Sequence, residues 1–103
     1  MIVIYDRKGL SQLLSLELDS LQGADLQGAN LENANLVQVN LEQADLRNAN
    51  LNGADLRLAN LRNADLRGAS LAATEFAGAN LEGTQSDKPL IPITPVALSD
   101  SED

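Results

Sequence analysis

With 103 residues, the chain has room for one domain, and its 15 acidic against 7 basic side chains give a formal charge of -8, a sign that repels phosphate backbones and anionic membranes. There is no Cys and no His, which excludes disulfides, thiolate and imidazole chemistry and the commonest zinc ligands together. The opening MIVIYDRKG has too short an apolar run for a signal-peptide core, and no stretch approaches the roughly 18 apolar residues of a membrane span. The expectation is a soluble cytoplasmic protein with no direct nucleic-acid or membrane partner.

Residues 1–23 form the first segment. Ile2 to Tyr5 suits a short strand, and GLSQLLSLELDSL follows it. Leu10, Leu13, Leu14 and Leu18 fall at helical spacing, yet Leu14, Leu16 and Leu18 also alternate. Two readings stand open, a short capping helix and a degenerate first repeat, with the cap preferred. A repeating array needs a cap, because its terminal unit otherwise shows apolar core and unpaired backbone to water.

Residues 24–83 are strictly periodic. Counting from a central residue i, the centres are Leu26, Leu31, Leu36, Leu41, Leu46, Leu51, Leu56, Leu61, Leu66, Leu71, Phe76 and Leu81, which makes 12 pentads. Position i-2 is Ala except at Val39 and Thr74, and i-1 is Asp or Asn except at Ser70 and Glu75. Positions i+1 and i+2 vary. A helix is excluded despite the Ala and Leu content, because a five-residue step rotates successive Leu positions by roughly 140° and scatters them around the cylinder. In an extended segment i-2 and i share a face, and the next inward residue lies three places on, which demands a corner. Each pentad therefore reads as a short extended segment and a turn, with Ala and Leu inside and the Asp or Asn bonding nearby backbone.

Residues 84–103 make the last segment. Pro89, Pro92 and Pro95 exclude a regular helix and favour an extended path. Leu90, Ile91, Ile93 and Val96 are expected to fold back over the last repeats, the other reading being a loose tail. The final SDSED is expected to be disordered.

The A(D/N)LXX signature over residues 24–83 resembles the pentapeptide-repeat proteins. That resemblance implies an all-β fold, a right-handed quadrilateral parallel β-helix with four pentads to a coil, here about three coils rising about 15 Å in all, beside a short N-terminal helical or strand cap. Three of the four departures from the signature, Ser70, Thr74 and Glu75, fall after residue 69, so the last coil is expected to be less regular.

With four pentads to a coil, residues 20 apart stack. Asp25, Asp45 and Asp65 then form an acidic column beside Arg47 and Arg67. Its functional reading is a cation site or recognition strip, and the preferred one is local backbone bonding with charge neutralised by arginine. Glu42, Arg62 and Glu82 alternate in sign. Val37, Arg57 and Ala77 stack beside Leu58, which occupies an outward slot. The candidate partner surface is Val37, Arg47, Arg57, Leu58, Arg62 and Arg67.

Nothing supports catalysis, since no nucleophile elbow, phosphate loop or cleft-paired carboxylates can be found, and no cofactor or metal is expected. The preferred function is an interaction or structural module that presents flat faces to an unknown protein, as a monomer or a weak homodimer through a solenoid end. The alternative is implied by the resemblance: some pentapeptide-repeat proteins are acidic DNA mimics that occupy type II topoisomerases such as gyrase. Duplex DNA carries about one charge per 1.7 Å, hence roughly nine over 15 Å. Residues 24–83 hold eight acidic and four basic side chains, a net of -4, with every Arg between 47 and 67, which is the wrong sign for a mimic at the centre.

Overall fold

The computed structural model describes residues 1–88 and 90, and the pentads wind into a square solenoid. Parallel bridges join residues 20 apart, from Asp25↔Asp45 and Asn30↔Asn50 to Asn60↔Asn80 and Asp65↔Gln85, so four pentads complete each coil. Three backbone bonds repeat between coils: Leu26 N–H donates to Asp45 O, Asp45 N–H to Ala24 O, and Gly28 N–H to Arg47 O, at 2.8, 2.9 and 2.9 Å. The same ladder extends the repeat past both ends of the regular signature. Leu21 is buried and Gly23 N–H reaches Glu42 O, while Gln85 pairs with both Ala64 and Leu66.

The corners explain the two variable slots. Within each corner the N–H of the next i-2 residue closes on the O of the preceding central residue, as Ala44 does on Leu41 at 3.0 Å. Every i+2 residue from Gly23 to Gly83 has a left-handed φ, between 59° and 76°, the demand a type II turn makes on its third residue. Glycine meets it without strain and asparagine tolerates it, so Gly, Asn and Gln dominate that slot. Position i+2 is thus constrained, and only i+1 is free to vary.

The core is a stack of leucines. Leu31, Leu36, Leu41, Leu46, Leu51, Leu56, Leu61 and Leu66 are fully buried, with the i-2 alanines packed between them. Four inward Leu per coil exclude water from the axis, and each contributes roughly 1.5 to 3 kcal/mol by burial.

At the N-terminus the preferred capping helix gives way to a β-hairpin. Strand β1 (Ile2–Tyr5) pairs antiparallel with β2 (Gln12–Leu16), in the register Ile2↔Leu16 and Ile4↔Leu14. Alternation wins over helical spacing because Leu14 and Leu16 share a face that packs on the core. Leu10, which only the helical pattern includes, is exposed, as is Leu18, which both patterns share. The loop is built by Asp6, whose carboxylate accepts from Leu10 and Ser11 N–H at 2.8 and 3.2 Å, with Gly9 at φ 75°. Those backbone bonds, Ser11 first, hold the Asp6 carboxyl below its usual range. The hairpin seats on the first coil, with Asn35 N–H donating to Tyr5 O and Arg7 N–H to Asn33 O, both at 2.8 Å.

The last coil is more regular than its departures suggest. Thr74 replaces Ala and stays buried because its hydroxyl donates to Leu51 O at 2.7 Å. Ser70 and Glu75 keep their ladder bridges to Asn50 and Asp55. Leu90 is half-buried against the core. The expectations for Ile91, Ile93, Val96 and the SDSED end lie outside the described residues.

Candidate functional site

Each face of the solenoid takes its outer chemistry from what i-1 and i+1 do to each other. Asp and Asn at i-1 accept, through Oδ1, the N–H two residues on, as Asn40 does from Glu42 at 3.0 Å. Where an Asp is followed two places later by Arg, both carboxylate oxygens are engaged. Arg47 bonds Asp45 at 2.9 and 2.8 Å, Arg57 bonds Asp55 at 2.8 and 2.7 Å, and Arg67 bonds Asp65 at 2.9 and 2.6 Å. These bidentate forks are the strong form of the ion pair. Their hydrogen bonds hold Asp45 and Asp55 below the usual carboxylate range against the opposing effect of desolvation, and the Arg67 fork brings Asp65 down to about 2.

The column Asp25, Asp45, Asp65 does stack, but Asp45 and Asp65 are closed by Arg47 and Arg67. Asp25 accepts from its neighbour Gln27 instead, at 3.2 Å. Among the described residues no group of three or more carboxylates is placed to hold a metal ion. Arginine pairing thus reaches Asp45 and Asp65, and local bonding alone engages Asp25.

The six residues expected to form one partner surface lie at three successive corners. Arg47 and Arg67 follow Leu46 and Leu66, and Arg62 follows Leu61 between Glu42 and Glu82, at 3.8 and 3.4 Å. Val37, Arg57 and Leu58 belong to the face built on Leu36, Leu56 and Phe76. These last three line a shallow groove with Ala77 and Gly78, while Arg47 and Arg67 meet at Asp65, at 3.8 and 2.6 Å.

Leu58 stands out within that groove. It is 58% exposed and sits at an i+2 position with φ 63°, a conformation that costs an ordinary side chain roughly 1–2 kcal/mol and is an outlier for a bulky residue. The coil above makes way for it with Gly78, where a Cβ would come to 2.7 Å from Leu58 Cδ2.

The opposite edge of the same face carries a network that the candidate surface did not include. Arg7, from the hairpin loop, donates to Glu75 at 2.9 Å and to Gly53 O at 3.2 Å, and lies 3.6 Å from Asp55. Asp55 is buried and already forked by Arg57, which also lies 3.5 Å from Glu75. Glu75 is the one glutamate at an i-1 position; it is one methylene longer than Asp and meets the hairpin arginine. The departure from the repeat was the available signal.

Comparison with known proteins agrees with this architecture. The family model described as pentapeptide repeats (8 copies) matches residues 24–63 and 54–85. Among solved structures, the pentapeptide repeat protein alr5209 from Nostoc PCC 7120 is 40% identical, with a TM-score of 0.63, over 68% of this chain and 58% of its own. HetL, a pentapeptide repeat protein involved in heterocyst differentiation regulation in Nostoc sp. strain PCC 7120, is 32% identical over 70% of this chain and 36% of its own, with a TM-score of 0.46. Rfr23 from the cyanobacterium Cyanothece 51142 is 38% identical over 63% of this chain and 55% of its own, at 0.37. The chain therefore spans less than two thirds of each of these proteins. No curated protein matches it, and none of these matches indicates a catalytic family. With the family model covering more than half of the residues and the ladder repeating every 20 of them, the chain belongs to the pentapeptide repeat family.

Proposed function

We propose that the chain is a non-enzymatic interaction module that receives a protein partner on the face built on Leu36, Leu56 and Phe76, with Leu58 as the anchor. The observation that supports this reading is the strained, exposed leucine. A side chain more than half exposed contributes little to the core, yet it occupies a backbone conformation that Asn or Gly would adopt at lower cost. Val37, Ala77 and Gly78 leave an apolar shelf beside it, and Arg57 borders the shelf. Apolar centres with a polar rim are the usual anatomy of binding hot spots.

The forked arginines count against mimicry of DNA. The Asp45, Asp55 and Asp65 charges are matched within their own pentads, so the prism does not present the unbroken negative column that a topoisomerase groove would meet.

Affinity capture from the native host tests the reading, with Leu58→Asn and Arg62→Ala compared against the unmodified chain. A partner retained by the unmodified chain and by Arg62→Ala but lost with Leu58→Asn is the expected result. The melting temperature of Leu58→Asn should stay within about 5 °C, because relief at the left-handed position offsets the partial loss of burial. Equal retention by all three proteins removes Leu58 from the interface.

A further inference from the structure

Val39 is the one valine at an i-2 position of the repeat. Ala44, Ala49, Ala54 and Ala59 in the same slot are buried, whereas Val39, with two more methyl groups, is only half-buried. It lies where the solenoid begins, in a groove of about 260 Å³ between the hairpin and the first coil. Ile2, Val3 and Ile4 line the groove from β1, and Leu21, Leu36 and Asn40 line it from the coil; no charged residue does.

Both sides of the groove carry main-chain groups that the fold leaves unpaired. On the β1 side, Asp6 N–H turns to Ser11 O of the hairpin, whereas Tyr5 O accepts from Asn35 across the opposite edge. Strand residues alternate in this respect, and the extra residue at the register shift, Leu13, belongs to β2. Val3 N–H and O therefore lie on the edge away from β2, and neither bonds the coil. On the coil side the ladder starts late. Asn60 N–H donates to Val39 O at 2.9 Å and Leu41 N–H to Asn60 O at 2.7 Å. One coil earlier, Asn40 N–H, Asn40 O and Leu21 N–H have no partner among the described residues.

We infer that this groove receives an extended segment of a partner polypeptide, which adds as a strand to the Val3 edge and sets an aliphatic side chain against Ile2 and Val39. Each side of the groove offers a donor and an acceptor together. An occupant must therefore carry acceptors and donors in alternation, as a peptide backbone does and a fatty acid or hydrocarbon does not. The volume exceeds the roughly 150 Å³ of a cavity that holds benzene, so it admits one branched side chain with the backbone that bears it. With no charge lining the groove, a carboxylate or ammonium entering it would lose water without finding a partner, which selects an apolar side chain. The site is distinct from Leu58 and does not rest on that reading.

NMR titration of the full chain with blocked five-residue peptides tests it. The probes are acetyl-STLTS-amide, its analogue with aspartate at the centre, and its analogue N-methylated at the central and flanking amides. The first should shift the Val3 and Asn40 amides saturably, with half-saturation at about 1 mM or below, and slow their exchange. Aspartate at the centre should weaken binding at least about tenfold, and N-methylation, which removes the donors, should abolish it. Val39→Ala restores the residue of the repeat and should weaken the first peptide at least about threefold, while the Leu41 and Leu46 amides report an unchanged fold. The comparison among peptides on the unmodified chain stands without that variant. No saturable shift by about 10 mM, or equal shifts from the N-methylated peptide, overturns the proposal. So do Val3 and Asn40 amides already protected without peptide, which would assign the edge to the chain itself or, where protection rises with protein concentration, to a second copy.

Discussion

Leu56→Ala probes the stacked core in its middle coil. Leu56 is fully buried, with Leu36 in the coil below and Phe76 in the coil above on the same face. Its own coil is held on both sides by ladder bonds: Leu36 N–H to Asp55 O, Leu56 N–H to Glu75 O, and Asp55 and Glu75 N–H to Ala34 and Ala54 O. The space vacated by the side chain cannot close, because closing it would require coils to approach or corners to unwind against those bonds. The cost belongs in the upper part of the Leu→Ala range, about 3–5 kcal/mol. For a domain of this size each kcal/mol lowers the melting temperature by about 4–8 °C, so the shift should exceed about 12 °C. Thermal melts by circular dichroism measure it, with Leu81→Ala as the internal contrast. Leu81 is half-exposed on the last coil and should cost less than half as much. Equal losses at the two positions, or a Leu56→Ala melt within about 5 °C of the unmodified protein, would refute the inward stack.

Thr74→Val keeps the shape and removes the hydroxyl that donates to Leu51 O; about 1 kcal/mol should be lost, read as a fall of several degrees in the melting temperature. Glu75→Asp withdraws the carboxylate from Arg7, and since both partners are about one third exposed the global melt should move by less than about 1 kcal/mol, while the Asn35 amide, bonded to the hairpin, should exchange faster. Asp65 has a folded pKa of about 2 against 3.8 without the fold, so its contribution is present above roughly pH 4 and is lost as pH falls through about 2. Acid titration of the melting temperature should be flatter for Asp65→Asn over that interval, and an unchanged slope would show that the Arg67 fork does not couple to folding.

The inward slots were legible because burial tolerates little: only Leu or Phe fills i, and i-2 is Ala but for Val39 and Thr74, while a helix cannot gather a five-residue repeat on one face. The left-handed corner was written there too and passed over. Gly23, Gly28, Gly53, Gly68, Gly78 and Gly83 all fall at i+2, a regularity hidden by the Asn, Gln, Ala and Leu that share the slot. The hairpin was ambiguous because its leucines satisfy both periods over so short a run, and only the coil they dock against decides between them. Glu75 looked like a defect since its partner, Arg7, lies 68 residues away, and no local pattern carries such a pairing. Leu58 could be seen to point outward, but its strain is a backbone property that residue identity alone does not disclose.

Site-specific photo-crosslinking in the native host tests the choice of face most directly, with the crosslinker placed in turn at Leu58, Arg62, Arg67 and Asn52, one at each corner of the square. A partner docked on the Leu36, Leu56 and Phe76 face should give a discrete adduct from position 58, and little or none from 62, 67 and 52. Adducts of equal strength from all four corners, or from the others while position 58 stays silent, would contradict the assignment of Leu58 as the anchor.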